Sequence, residues 1–155
     1  RTIETMTLSL QEMSDRFEIQ DLLYRYSELI DGKEIDALRE EVFTEDAFID
    51  YSVFGGSKGD LDATLAFLNK VMTPSMFPNT QHLVANMQIR ISGDQATGRI
   101  MCLNPQEMLI GEDKQVFFCG LWYIDEYRRT SAGWRICRRE EEKSWVHNTP
   151  DFMDL

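Results

Sequence analysis

An α+β domain, helices first and a long antiparallel sheet after them, is the fold class that this sequence predicts. Three observations predict it. Apolar residues recur at helical spacing in segments between residues 9 and 71, four long stretches of strand composition follow residue 79, and short polar turns separate those stretches. Strands joined by tight turns pair antiparallel, and helices followed by such a meander give segregated layers instead of an alternating parallel-sheet fold. The 155 residues, 43% hydrophobic and 28% charged, suffice for one hydrophobic core. With no repeat, low-complexity segment or Gly/Ser/Pro linker, residues 1–155 read as a single domain with its core at about 9–147.

Each element has a local cause. Ser9-Leu10-Gln11-Glu12 is a capping-box pattern, and the apolar series from Leu10 through Ile19, Leu22, Leu23 and Tyr26 to Ile30 predicts a helix over about 9–30. Gly32 offers the left-handed conformation that ends a helix, and "KEIDALREEVF" then starts a second, short helix. "DAFIDYSVF" has strand composition, "GGSKGD" is a turn cluster, and "DLDATLAFLNKVM" returns to helical spacing with Asp60 or Asp62 as cap. The strands follow as "TQHLVANMQIRI", "ATGRIMCLNPQEMLI", "QVFFCGLWYIDEYRR" and "GWRICRREEEKSW", separated by "SGDQ", "GEDK" and "TSA". A tail, "HNTPDFMDL", runs irregularly across the body. A sheet of this length, curved over the helices, can enclose a pocket.

Composition narrows the partners. A formal net charge of −11 argues against nucleic acid and leaves no basic patch for an anionic membrane surface, whereas a small molecule remains open. No apolar run approaches the ~18–20 residues of a membrane span, and "RTIETMTLSL" lacks the apolar core of a secretory signal, so the cytoplasm is expected. Cys102, Cys119 and Cys137 are odd in number and far apart, which reads as packed thiols without disulfide or zinc spacing. GxGxxG, GxxxxGK[ST] and GxSxG are all absent, and the charge run "RREEEK" reads as a solvated strand end.

Only two histidines, His82 and His147, offer proton transfer near neutral pH without a perturbed side chain. Along its strand His82 shares a face with Thr80, Val84, Asn86, Gln88 and Arg90, opposite Leu83, Ala85, Met87, Ile89 and Ile91. Such a polar face meets either water or a lined cavity, and alternation does not choose between them. Asp31 ends the first helix, where the helix dipole disfavours an acid by roughly 0.3–1 kcal/mol, and a turn residue is a sufficient account of it. Tyr26 lies on the apolar stripe and reads as a core tyrosine, as does Tyr51. A His, an Asp and two Tyr are also the parts for proton abstraction beside a carbonyl: base, orienting anion and oxyanion donors. A metal site would need both histidines and a carboxylate such as Asp31, and no short-range ligand pair is present.

The order and spacing of "IQDLLYRYSELIDGK", "FIDYSVF", "NTQHLVANMQIRI", "ATGRIMCL" and "DEYRRTSAGWRI" resemble the SnoaL-like branch of the nuclear transport factor 2-like superfamily, over about residues 10–145. That branch includes scytalone dehydratase, bile-acid 7α-dehydratase and hexachlorocyclohexane dehydrochlorinase. The resemblance implies a cone-shaped α+β barrel, its curved antiparallel sheet wrapped over the N-terminal helices around one deep pocket. It also implies a His-Asp dyad working without metal or organic cofactor, at His82 and Asp31. Tyr51 resembles a carbonyl-polarising tyrosine of scytalone dehydratase, and Tyr26 the catalytic tyrosine of the bile-acid enzyme. Three positions depart from those patterns: Ile30 stands where scytalone dehydratase has a tyrosine, Phe118 or Cys119 near its second histidine, and Asn104 in place of the bile-acid enzyme's acidic residue.

The expected pocket wall runs from Phe117 to Trp122, with Met101, Met108 and Phe54, and suits a flat hydrophobic substrate. Asn104, Phe54, Met101, Phe118, Trp122 and Arg139 are the expected substrate contacts, and no metal ligand is expected. The function implied is a cofactor-independent lyase, dehydratase-like or carbon-carbon cleaving, acting on a hydroxylated aromatic or polycyclic molecule. An isomerase using the same dyad, or a non-catalytic binding module like the small subunits of ring-hydroxylating dioxygenases, is the alternative. Superfamily members associate through the outer face of the sheet, which implies a homodimer or homotrimer.

Overall fold

The computed structural model describes residues 7–155; Arg1–Met6, part of the stretch read for a secretory signal, lie outside the described residues. Helix α1 (Leu10–Asp31) starts at a reciprocal cap: Ser9 Oγ accepts from Glu12 N–H at 3.1 Å, and the Glu12 carboxylate accepts from Ser9 N–H at 2.8 Å. Its stripe Ile19, Leu22, Leu23, Tyr26, Leu29 and Ile30 is buried against the sheet. The helix ends differently from expectation. Gly32 stays right-handed at φ −74°, and Lys33 takes the left-handed turn at φ 64°. A side chain at Gly32 would place its Cβ 3.0 Å from Glu28 O, so glycine is kept for space and not for a positive φ.

The expected second helix breaks into a 3-10 turn (Ile35–Ala37) and a four-residue α2 (Leu38–Glu41), because Phe43 already belongs to β1 (Phe43–Asp50). "DAFIDYSVF" therefore splits: the strand stops at Asp50 and Ser52–Phe54 form a 3-10 turn. The turn cluster that follows contains a short β2 (Lys58–Asp60). Asp60 Oδ1 accepts from Ala63 N–H at 2.9 Å and caps α3 (Leu61–Val71). The first of the four late stretches is interrupted, giving β3 (Asn79–Thr80) and β4 (Leu83–Ser92), and β5 (Gln95–Ile110), β6 (Asp113–Thr130) and β7 (Gly133–His147) follow through tight turns.

These seven strands make one curved, unclosed sheet in the order β2-β1-β7-β6-β5-β3, with β4 also on β5. The meander β4 to β7 is antiparallel, whereas β1 runs parallel to β7, so the sheet is mixed. That parallel pair is possible because everything from the Ser52–Phe54 turn to β6 serves as the crossover between its two strands. Among the described residues no helix is long and apolar enough to cross a membrane.

β-Bulges decide which side chains face the helices, and two of them bear on the cavity. On β7, Arg138 pairs with Glu126 while Ile136 pairs with Tyr127, leaving Cys137 as the extra residue. Before it Trp134 and Ile136 point inward; after it Arg139 and Glu141 do. On β4, Ala85 pairs with Met101 and Gln88 with Arg99, and Asn86 takes φ 45° at the bulge. Leu83 is consequently exposed while Ile89 is buried, although simple alternation puts both on one face.

Two ion pairs with buried carboxylates brace the body. Asp125 holds Arg139 through bonds of 2.8 and 2.7 Å, and both side chains are fully buried. At the other end Asp15 of α1 accepts from Arg129 twice and from the indole of Trp134, tying the helix to β6 and β7. The Arg129 hydrogen bonds, working against burial, hold the Asp15 carboxyl down at about 2.

Candidate active site

A strand register brings the dyad together. Thr80 pairs with Gln106 and Leu83 with Leu103, so Gln81 and His82, outside both strands, stand opposite Pro105 and Asn104. Gln81 N–H reaches Pro105 O at 3.1 Å, but proline has no N–H to return, and the ladder stops there. At the next residue the backbone N–H points away from β5, and it donates to Asp31 Oδ2 at 2.9 Å. His82 Nδ1 lies 2.7 Å from Asp31 Oδ1. Side chains approach closely at such non-hydrogen-bonded positions, and His82 Nε2 lies 3.0 Å from Asn104 Nδ2. His82, expected within a strand, thus owes its position to the gap between two.

The anion is supported from behind. Thr80 Oγ1 donates to Asp31 Oδ1 at 2.8 Å, and Lys33 Nζ donates to Thr80 Oγ1 at 2.8 Å. Burial opposes the Asp31 charge, but the bonds from His82 and Thr80 outweigh it and hold the carboxyl below the ordinary aspartate range. Burial lowers Lys33, against the pull of Asp31. An ionised Asp31 only accepts, so in a neutral ring Nδ1 carries the hydrogen and Nε2 keeps its lone pair, an assignment made from the hydrogen-bond network.

His82 and Asn104 border a cavity of roughly 310 Å³. Its other polar groups are Tyr26, Tyr51, Gln106 and Glu141, and its apolar wall includes Phe54, Met72, Met76, Phe77, Met108 and Phe117. Tyr26 and Tyr51 hydroxyls lie 2.9 Å apart, and burial pushes both phenols up, so each remains a neutral donor. The Tyr26 ring meets His82 edge-on at 6.2 Å. Asn104 is 6% exposed, and its Oδ1 has no partner among the described residues.

The expected site residues divide. His82, Asp31, Tyr26, Tyr51 and Asn104 converge, and Phe54 joins them at the cavity. Met101, Phe118 and Trp122 do not. Alternation sends Cys102, Phe117, Cys119, Leu121 and Tyr123 inward, which turns those three to the opposite face of the sheet. There Trp122 lies under the Arg99 guanidinium at 4.3 Å, and Phe118 packs beside His147 at 6.3 Å. His147 is therefore on the far face, and among the described residues no group of three His, Cys, Asp or Glu side chains gathers into a metal site. Arg139 is placed behind the site: paired with Asp125, it stacks its guanidinium under Tyr26 at 4.3 Å and Tyr123 at 3.9 Å. Burial pushes the Cys102 thiol up to about 12 and that of Cys119 to about 11. Sequence reasoning missed Glu141, which sits in the charge run assigned to solvent, and did not connect Thr80 and Lys33 to Asp31.

A curved sheet folded over helices around a cavity is the cone-shaped fold of the nuclear transport factor 2-like class. Within it the SnoaL-like domain signature matches residues 11–140, and the chain belongs to that family. It is 44% identical over 141 residues to an uncharacterized protein of Mycobacterium tuberculosis, Rv2910c, covering 91% of this chain and 93% of that one. Among solved structures it resembles the Kfla4162 protein of Kribbella flavida, at 25% identity and TM-score 0.78 over 88% of this chain and 95% of the other. A scytalone dehydratase-like protein of Novosphingobium aromaticivorans (21%, TM-score 0.77, 91% of each chain) has the same fold. So does a type 3 hexachlorocyclohexane dehydrochlorinase of Novosphingobium barchaimii (20%, TM-score 0.74, 94% and 97%).

Proposed function

We propose that the protein is a cofactor-independent lyase, most simply a dehydratase, acting on a hydroxylated aromatic or polycyclic molecule with an acidic C–H. The observation that carries the reading is the 2.7 Å contact of His82 Nδ1 with Asp31 beside a mostly apolar cavity. Asp31 fixes the tautomer and balances the imidazolium charge, so Nε2 is the nitrogen that takes the substrate proton. That lone pair faces the Asn104 amide, and a substrate oxygen that accepts the amide N–H releases it for use. In the Tyr26-Tyr51 hydroxyl pair one O–H donates to the other, and the second remains a neutral donor for charge developing on oxygen. The aromatic and methionine wall favours a flat hydrophobic ligand. Structures of this fold carry the names dehydratase and dehydrochlorinase, both names of eliminations, which supports the reading.

The test is turnover of a panel of hydroxylated aromatic and polycyclic compounds, followed by mass analysis for loss of water or for fragments. Positioned acid-base catalysis contributes about 100- to 10,000-fold, so His82→Ala is expected to lose that factor while keeping its fold. Wild-type turnover by folded His82→Ala protein would rule the mechanism out.

A further inference from the structure

Glu141 is the acidic group on the cavity wall that the His82-Asp31 scheme leaves unused. The β7 bulge at Cys137 turns it inward, where it stands across β6 and β7 from Tyr123. It borders the same cavity as His82 and Asn104 and makes no hydrogen bond among the described residues. Neighbouring cations do not bind it. Arg139, two residues back on the same face, gives two of its nitrogens to Asp125, and Lys143 points toward the Phe54 ring at 6.0 Å. The titratable groups around it are Arg139 and Lys143 on β7, Tyr123 and Cys119 on β6, Cys102 on β5, Tyr26 on α1, and Tyr51 with Asp50 at the end of β1. His82 is the remaining titratable group that borders the cavity. Glu141 is half-buried, and apart from the partial help of Arg139 no neighbouring group offsets the water its carboxylate loses. Burial accordingly pushes Glu141 up to about 8.

We propose that Glu141 is a second functional group of the cavity, a neutral carboxylic acid that donates a hydrogen bond to an oxygen of the ligand. Neighbouring strands are about 4.8 Å apart and residues rise about 3.3 Å along a strand, so Glu141 on β7, level with Ile100 on β5, lies two strands and four residues, roughly 16 Å, from Asn104, with Tyr26 and Tyr51 also on the cavity wall. The cavity therefore has a basic end and an acidic end, and its ligand is an uncharged, flat molecule carrying an acceptor oxygen, not an amine. Resting on the lyase reading, Glu141 hydrogen-bonds an acceptor oxygen at the far end of the ligand while the elimination takes place at His82. His82 Nε2 takes the C–H proton, that electron pair forms the new C=C bond, the C–O bond breaks, and the imidazolium proton leaves with the departing oxygen as water.

Binding tests the donor role without a known substrate. The probe is α-tetralone, a flat bicyclic ketone with no titrating group, measured by calorimetry between pH 6 and 9.5. Wild-type protein is expected to bind it about 10-fold more weakly at pH 9.5 than at pH 6. Glu141→Gln, which still donates, should bind within about threefold of wild type at pH 6 and lose that dependence. Glu141→Ala should be weak at both pH values, and His82→Ala should keep the wild-type pH profile. A profile unchanged in Glu141→Gln or abolished in His82→Ala, or no binding by wild type at pH 6, overturns the proposal. So does a carbon-13 carboxyl titration that places Glu141 with the ordinary glutamates. The same donor reads out on any turned-over substrate: Glu141→Gln removes the alkaline limb of the rate profile. Absence of any lyase substrate would defeat the proposed function while leaving the binding result intact.

Discussion

Replacing Asp31 with asparagine preserves shape and removes one charge and one acceptor. In the wild type Oδ1 accepts from His82 Nδ1 and Thr80 Oγ1, and Oδ2 accepts from His82 N–H. Asparagine has a single oxygen; placed at the Oδ1 position it keeps two bonds and turns its NH2 toward the His82 N–H, stranding that donor. A stranded buried donor costs about 1–3 kcal/mol, and loss of charge assistance adds to it. The Asp31 side chain is 25% exposed, so water recovers part of the loss, and about 2 kcal/mol is expected at pH 7. With a urea slope of about 2 kcal/mol/M the unfolding midpoint should fall by about 1 M. The pH dependence has a definite sign. The Asp31 pKa is lower folded than unfolded, so its stabilisation is fully present above the unfolded value of about 3.9 and fades as pH falls through the folded one. Urea curves of both proteins from pH 7 to pH 3, followed by tryptophan fluorescence, should therefore converge at low pH. Equal midpoints at pH 7, or a gap that persists undiminished at pH 3, would refute the account of the dyad.

Two further perturbations probe the scaffold. At Gly98 an added Cβ would meet the ring and hydroxyl of Tyr127 at 2.9 Å, and Tyr127 is 1% exposed and bonded to Asp125, so it has no room to yield. Gly98→Ala should cost about 1–3 kcal/mol in chemical denaturation, and an unchanged midpoint would show that the sheet relaxes there. Asp15→Ala removes the acceptor of the buried Trp134 indole N–H and one partner of Arg129. A loss of about 3 kcal/mol is expected in thermal denaturation at pH 7. The gap should shrink as pH falls below about 4 toward the Asp15 value of about 2, because the wild type then loses the same anion.

Much of this protein is written locally. The Ser9-Glu12 cap, the buried stripe from Ile19 to Ile30, the Asp60 cap and the three tight turns depend on neighbours three or four residues away, and a linear pattern records such neighbours. The resemblance marked His82 and Asp31, 51 residues apart, and their contact depends on the register that sets His82 opposite Asn104, where its N–H turns away from β5 toward Asp31. Met101, Phe118 and Trp122 are a different case. Alternation beside buried Cys102, Phe117 and Leu121 separates them from the cavity, and treating the stretch from Phe117 to Trp122 as one wall ignored it.

What only the tertiary structure decided is the phase of the strands. One extra residue at Cys137 exchanges the two faces of β7, so that Arg139 and Glu141 enter the interior in place of Arg138 and Glu140. Another at Asn86 does the same on β4. The lone acid facing the cavity therefore looked like one of three solvated glutamates in "RREEEK". Sequence determines which residues alternate; pairing with β6 and β5 determines where the alternation slips, because a bulge is a property of two strands held in register.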